Sequence, residues 1–548
     1  LQTDIEVTAD LDFSASNLTH PLGTRTGGCT LFSGVFHGNG YSIKGLRMDN
    51  TNNEEYKNAG LFCSLNDATI ENLVIDSSCS FVGNSAGALS VSVSGSLIVK
   101  NITNKAAVNG NDKVGGFIGY ALNVRQAMIS FEDCANDGNV TSGSSGGSFF
   151  GFIGSNFIIS MTISNSTNNG NLTGRSSVGG FAGYITRNMY INMTFTNFYN
   201  NGNVILSNDY AGGFAGHISS NTNITVTISN YTNNGNTTGK WFIGGLIGSI
   251  ESNPNITLTT LNSINNGSIT GSKYVGGFVA YIDSNKNITM AISNSANNGI
   301  IHGEESVGGF VGYISSNRNT TMAISNSINN GNVTLCTNYV GGLIGYIYSN
   351  RNMTMTVSNS INNGNVTGSV FDVGGLIGYI YFNTDIITTI SNSVNNGIVL
   401  GHTRAGGFIG SIYINNNITV TTTNSVNNGN TNGNMYVGGF FGYILSIYSY
   451  QTRVGIINNA NKGNVSADYD MSCGFFCIGS DDNINVSTTI KNSINKGNVN
   501  ARMYAYGITN NITMARNVVS IGEVNGSYCS YTFWKTSTDV DLFYSFEI

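Results

Sequence analysis

The stretch YVGGFVAYIDSNKNITMAISNSANNG, from Tyr274 to Gly299, decides the fold. Within it Ile288, Met290 and Ile292 alternate with Asn287, Thr289, Ala291 and Ser293, which is the period-2 pattern of a half-buried strand. A Gly-Gly strand precedes this segment and a short NVTG-type piece follows the next NNG, so each unit carries three strand-like pieces and no helical period. The phrase recurs. A Gly-Gly pair returns every 32 or 33 residues over most of the chain, at Gly115, Gly146, Gly179, Gly212, Gly244, Gly276, Gly308, Gly341, Gly374, Gly406 and Gly438, and NNG or a near variant keeps step from Gly138 to Gly497. Self-similarity at such a period marks a repeat array.

Parallel strands cannot be joined by tight hairpins, but a coil that returns to its own start stacks each strand on its equivalent. The expected fold is therefore all-β, a parallel β-helix of 32-33-residue coils. A β-propeller is the rival, because Asn-Gly also signals a type I′ hairpin. A dozen units exceed the usual four to eight blades, and blades need longer units of about 40 residues. Four regions are expected: irregular coils over 1–110, the regular array over 111–465, degenerate coils over 466–526 and an aromatic tail over 527–548. In the array, Phe278 and Ile282 mark the core face. Val275, Val279 and Tyr281 have the opposite parity, and Ser155, Ser249, Ser411 and His217 are read at the Tyr position, so that face is expected outside as an apolar stripe. Asn294, Asn326, Asn359 and Asn392 recur at one corner, where stacked amides can bond along a ladder.

Composition agrees with an array. The chain has 548 residues, beyond the range of one conventional core, and only 9% are charged, with 71 Gly and 2 Pro. Hydrophobic residues at 40% argue against disorder. With 23 basic and 29 acidic residues the net charge is −6, and no dense basic patch suggests nucleic acid. No run of 18 apolar residues suggests a membrane span. The first residue is Leu1, which fits a secreted chain whose signal peptide has been removed.

FSGVFHGNGYSIKGLRMDN (Phe32 to Asn50), followed by NAGLFCSLNDATIENLVID (Asn58 to Asp76), resembles the opening of secreted surface proteins with GLUG-type repeats. VGGLIGYI (Val373 to Ile380) and NSINNGNVTG (Asn359 to Gly368) are similar to their later repeats, although His37 stands where such proteins commonly have Asp. The resemblance implies a right-handed β-helical, adhesin-like surface protein and no particular ligand.

No catalytic constellation stands out. Asp209, Asp283, Asp372 and Asp385 fall at different points of their coils and read as solvated turn residues, as do the adjacent Glu304 and Glu305. A polysaccharide-processing enzyme would need clustered carboxylates. His20, His37, His217, His302 and His402 lack ligand spacing, so neither metal nor cofactor is expected. Cys29, Cys63 and Cys79 are placed to staple the first coils, and Cys473, Cys477 and Cys529 the last, in a pairing that spacing does not choose. Cys134 and Cys336 read as buried thiols.

The most specific signal is N-x-S/T. One column of sequons holds Asn192, Asn223, Asn255, Asn287, Asn319, Asn352, Asn417 and Asn485; a second, just after the Asn-Gly corner, holds Asn139, Asn171, Asn236, Asn332, Asn365 and Asn464. Copying of an Asn-rich repeat would also generate them; outward parity favours use as N-glycosylation sites. Lys286, Arg318 and Arg351 form a basic column that reads as a solvated turn or as a surface for an acidic glycan or a neighbouring subunit. Phe533, Trp534, Phe543, Tyr544 and Phe546 make the tail a cap or a docking segment. The chain is thus expected to be a non-enzymatic extracellular glycoprotein that self-associates into a coat, fibre or filament. The alternatives are a carbohydrate-binding adhesin and, third, a polysaccharide-processing enzyme.

Overall fold

The alternating stretch forms the strand Lys286–Ser293, with Ile288, Met290 and Ile292 buried and Asn287 and Thr289 exposed. It pairs in parallel with Arg318–Ser325, and that strand with Arg351–Ser358, so Met290 lies beside Met322 and Met322 beside Met355. This is the stacking of a parallel β-helix. In the computed structural model, residues 3–16, 18–25, 28–53, 56–446, 451–479, 486–510, 512–530 and 540–545 are described. They divide between two compact units, Leu1–Ile269 and Thr270–Ile548, each built of strands in coils of about 32 residues, about fifteen coils in all. No helix among the described residues is long and apolar enough to cross a membrane.

A coil of the second unit has five strands, not the three pieces expected: Lys273–Gly276, Val279–Asp283, Lys286–Ser293, Ala296–Asn297 and Ile301–His302. Of the two additional breaks, one falls at Gly277-Phe278 and the other at Asn294, which lies in the left-handed region. Ser284 (φ 55°) and Asn294 (φ 50°) turn the chain at either end of the long strand, and Asn287 (φ 53°) kinks its start. Asn suits such positions because its short polar side chain tolerates positive φ. The first unit repeats the plan, for example in Asp209–Gly212, Ala215–Ser219, Thr222–Ser229, Thr232–Asn233 and Thr237–Thr238.

The two sequence beacons are two walls of one corner, which is why they share a period. Asn297, the first Asn of its NNG, is buried and donates through Nδ2 to the Gly299 carbonyl (3.0 Å) and to Asn329 Oδ1 (2.7 Å). A Cβ on Gly277, in the Gly-Gly pair, would strike this amide and the Gly309 carbonyl of the next coil. Asn329 continues the ladder to Asn362 at 2.8 Å while bonding the Gly331 carbonyl at 2.9 Å. The strongest amide ladder therefore lies inside, three residues beyond the exposed corner asparagines such as Asn294 and Asn326. Asn329→Ala removes one acceptor and two donated bonds from a dry corner, and unmet buried groups cost about 1–3 kcal/mol each. We expect a loss of about 2–4 kcal/mol, read by denaturant unfolding, with faster amide exchange at Asn330 and Gly331; an unchanged midpoint would mean that water replaces the amide.

Val275 and Val279 are fully buried, which corrects their placement on an outer stripe. Period-2 parity fails here because the strand breaks at Gly277-Phe278, and around that break residues of both parities are covered: Val275, Phe278, Val279, Ala280 and Ile282 are all buried. Of that face Tyr281 itself is half-buried, and its equivalents Tyr313, Tyr346 and Tyr379 are buried. Interior aromatics fill the first unit. Phe181 lies among Phe149, Phe195 and Phe214, with centroids 6.0, 4.7 and 5.3 Å away.

Disulfides join Cys29 to Cys63 in the first unit and Cys473 to Cys477 in the second, while Cys79, Cys134 and Cys336 are buried thiols. Burial pushes the Cys134 thiol up to about 12. The tail strand Val540–Ser545 pairs in parallel with Met514–Ser520 of its own chain, placing Phe543 beside Val518 and Tyr544 beside Val519 in register. Phe533, Trp534 and Phe546 lie outside the described residues.

Candidate functional site

Lys286, Arg318 and Arg351 open three consecutive long strands of the second unit and stand in direct register. All three are exposed, and no carboxylate lies within 4.0 Å of them among the described residues. With Asn319, Asn352 and Asp385 they line a groove of about 420 Å³. Parallel strands are about 4.8 Å apart, so neighbouring cations repel by about 1 kcal/mol in water and more near a low-dielectric surface. The contrast within the same coil is informative: Lys273 is neutralised by Glu305 at 2.7 Å. Thr384 follows Arg351 in register and ends the basic run. Beside it, Asp385 takes the corner place of the asparagines and accepts from Asn417 Nδ2 at 2.8 Å.

Both sequon columns lie at the surface, but their amides are used differently. In the first, Asn287, Asn319, Asn352, Asn255 and Asn417 are exposed and Asn223 is half-buried, all with φ between 51° and 59°. Their side chains ladder: Asn319 Nδ2 donates to Asn287 Oδ1 and Asn352 Nδ2 to Asn319 Oδ1, both at 2.9 Å. Asn192 is not in this column. It lies beside Thr225, while Tyr190 occupies the left-handed corner. Asn485 lies outside the described residues. In the second column, Asn139, Asn171, Asn236, Asn332, Asn365 and Asn464 are all exposed. Here Oδ1 is the engaged atom: Asn171 Oδ1 accepts the Asn203 N–H (3.0 Å) and Asn332 Oδ1 the Asn365 N–H (2.9 Å). The nitrogen that would carry a sugar is turned away from that bond.

The tyrosine column is internal packing, not a platform. Tyr281, Tyr313, Tyr346 and Tyr379 follow one another in register, and Tyr313, Tyr346 and Tyr379 are buried. Ring faces are spent on one another, at 5.4 Å for Tyr281 on Tyr313 and 5.1 Å for Tyr346 on Tyr379. Ser155 stands outside this column, where Phe152 is in register with Tyr184. Ser411 does belong to it, beside Tyr379; in the first unit Ser249 stands in register with His217, and both serines are fully buried. Substitution of Tyr by Ser is compensated by an acid–base pair in each case.

In the second unit Asp372, 1% exposed, accepts from Ser411 Oγ and from Arg404 Nη1 at 3.2 Å, and the Arg404 guanidinium lies over the Tyr413 and Tyr443 rings. Burial pushes the Asp372 carboxyl up from its ordinary value, against the pull of Arg404. In the first unit Ser249 donates to Glu251 Oε1 (2.6 Å), which lies 3.3 Å from His217 Nε2. The His217 ring is stacked between Tyr184 and Tyr210. Burial raises the Glu251 carboxyl, but the nearby His217 ring and the hydrogen bond from Ser249 outweigh it and hold it below its ordinary value. Asp372 is thus a buried structural acid rather than a solvated turn residue. Asp385 and Glu304 are exposed, and Asp209, Asp283 and Glu305 partly so. Among the described residues no three His, Cys, Asp or Glu side chains gather as metal ligands.

No family model matches the chain. It is 30% identical over 122 residues to halomucin of Haloquadratum walsbyi, a span that is 22% of this chain and 1% of halomucin. A solved structure from Bacteroides ovatus, provisionally assigned as an immunoglobulin A1 protease, is 16% identical with a TM-score of 0.22, covering 66% of this chain and 78% of that one. The basic groove and the two amide columns are therefore read from their own geometry.

Proposed function

We propose that this chain is a non-enzymatic extracellular scaffold, a glycosylated β-helical subunit of a surface coat, fibre or filament. The observation that carries the reading is the second sequon column, whose six asparagines are all exposed and held by Oδ1. Glycans there would hydrate a surface built from a chain with only 9% charged residues. Similarity to halomucin, by its name a mucin, supports a surface role over the segment it covers. Self-association belongs to the same proposal, through the side of the strand Val540–Ser545 that pairs with no other strand among the described residues.

Intact glycopeptide mass spectrometry on protein from its native source tests the reading. We expect glycans at Asn171, Asn236, Asn332 and Asn365, with lower occupancy at Asn319 and Asn352, whose Nδ2 atoms already donate along a ladder. Unmodified asparagine throughout both columns would reduce the sequons to products of repeat copying.

A further inference from the structure

We infer that the groove of Lys286, Arg318 and Arg351 binds a linear acidic polysaccharide laid across the long strands. Three observations carry this, and none depends on the chain being glycosylated. First, the three cations are exposed, in register on consecutive strands, and without a carboxylate partner among the described residues. Left as they are, they repel one another; an anion lying across all three relieves that repulsion.

Second, the spacing selects a polymer. A strand separation of about 4.8 Å is close to the advance of one sugar along an extended polysaccharide, so a chain with one carboxylate or sulfate per residue can present a charge to each cation. Arg318 and Arg351 add planar forks that can hold either group by two hydrogen bonds.

Third, the groove is polar and bounded. Asn319 and Asn352, laddered to each other, form its polar wall, and Asp385 closes the end beyond Arg351 with a like charge that discourages a fourth anionic residue. The tyrosines do not compete as a sugar-stacking surface, because their faces are engaged with one another.

The test uses the full chain from a host that does not N-glycosylate, so that sugars on Asn319 and Asn352 cannot cover the groove. Oligogalacturonate and a heparin-derived oligosaccharide of the same length serve as carboxylate and sulfate probes, with a cello-oligosaccharide as the neutral control. We expect binding of one or both acidic probes, weakening with salt, and no binding of the neutral one. The triple variant Lys286→Gln, Arg318→Gln, Arg351→Gln, checked for unchanged circular dichroism, should bind about tenfold more weakly or worse, the loss expected of three exposed ion pairs. Lys273→Gln, which alters a cation already paired, should bind as the parent does. Whichever acidic probe binds more tightly identifies the charged group. Equal binding by parent and triple variant overturns the inference, as does no binding at low salt or equal binding of a short DNA duplex. Self-association lost in the triple variant, with neither saccharide bound, would make the groove a contact between copies and overturn it as well.

Discussion

Replacing Asp372 by alanine should lower the stability of the second unit by about 3–5 kcal/mol, the cost of leaving one partner of a buried ion pair alone. The carboxylate is 1% exposed and holds both Arg404 and Ser411. Its removal strands the guanidinium over Tyr413 and Tyr443, with the cation–π contacts as its remaining stabilisation. Denaturant unfolding of the full chain measures the loss, and hydrogen exchange around Arg404 and Ser411 locates it. The double variant Asp372→Leu, Arg404→Met should recover most of the stability, because a well-packed apolar pair avoids the desolvation cost of both charges. A single variant within about 1 kcal/mol of the parent would show that water reaches the pair.

Phe181→Ala should destabilise the first unit by a similar amount, about 3–5 kcal/mol. The ring is fully buried and meets Phe149, Phe150, Phe195, Phe198 and Phe214, so truncation opens a cavity whose aromatic walls stand on fixed strands and cannot collapse into it. Phe181→Leu is the internal control, because Leu246 fills the same column in a later coil. It should cost less than about 1.5 kcal/mol. Equal losses from the two substitutions would indicate that ring stacking, not volume, sets the energy.

The coil, its period and its parallel stacking were legible because Ile288, Met290 and Ile292 alternate cleanly and the beacons return at fixed intervals. The division of each coil into five strands was not, because the break after the Gly-Gly pair and the left-handed corner at Asn294 carry residues that also occur in ordinary strands and loops. The same limit misplaced Val275 and Val279: parity assumes a strand with one covered face, and around the Gly-Gly pair residues of both parities are buried. Asn192 was misassigned because a sequon is recognised by its own three residues, whereas register is set by neighbouring coils. Asp372 escaped notice because its partners, Arg404 and Ser411, lie a full coil away. That signal was present in the sequence as three departures from the repeat within two successive coils, and only pairing them reveals it. The basic column was legible because register places equivalent residues side by side; the absence of carboxylates around it is a fact of three dimensions.

Those departures bear on how so repetitive a chain finds its proper register. Coils that differ little can pair with the wrong neighbour, and near-identical repeats are prone to such misassembly during folding. A slip of one coil would leave the buried amide ladder intact, since every coil offers the same asparagine. It would not leave Asp372 beside Arg404 and beneath Ser411, nor Glu251 beside His217 and Ser249: the buried Asp372 would lose its cation, and Glu251 its serine donor. The two irregular trios thus act as keys to alignment, penalising out-of-step intermediates that the uniform ladders would accept, and the fidelity of folding rests on the coils that break the pattern.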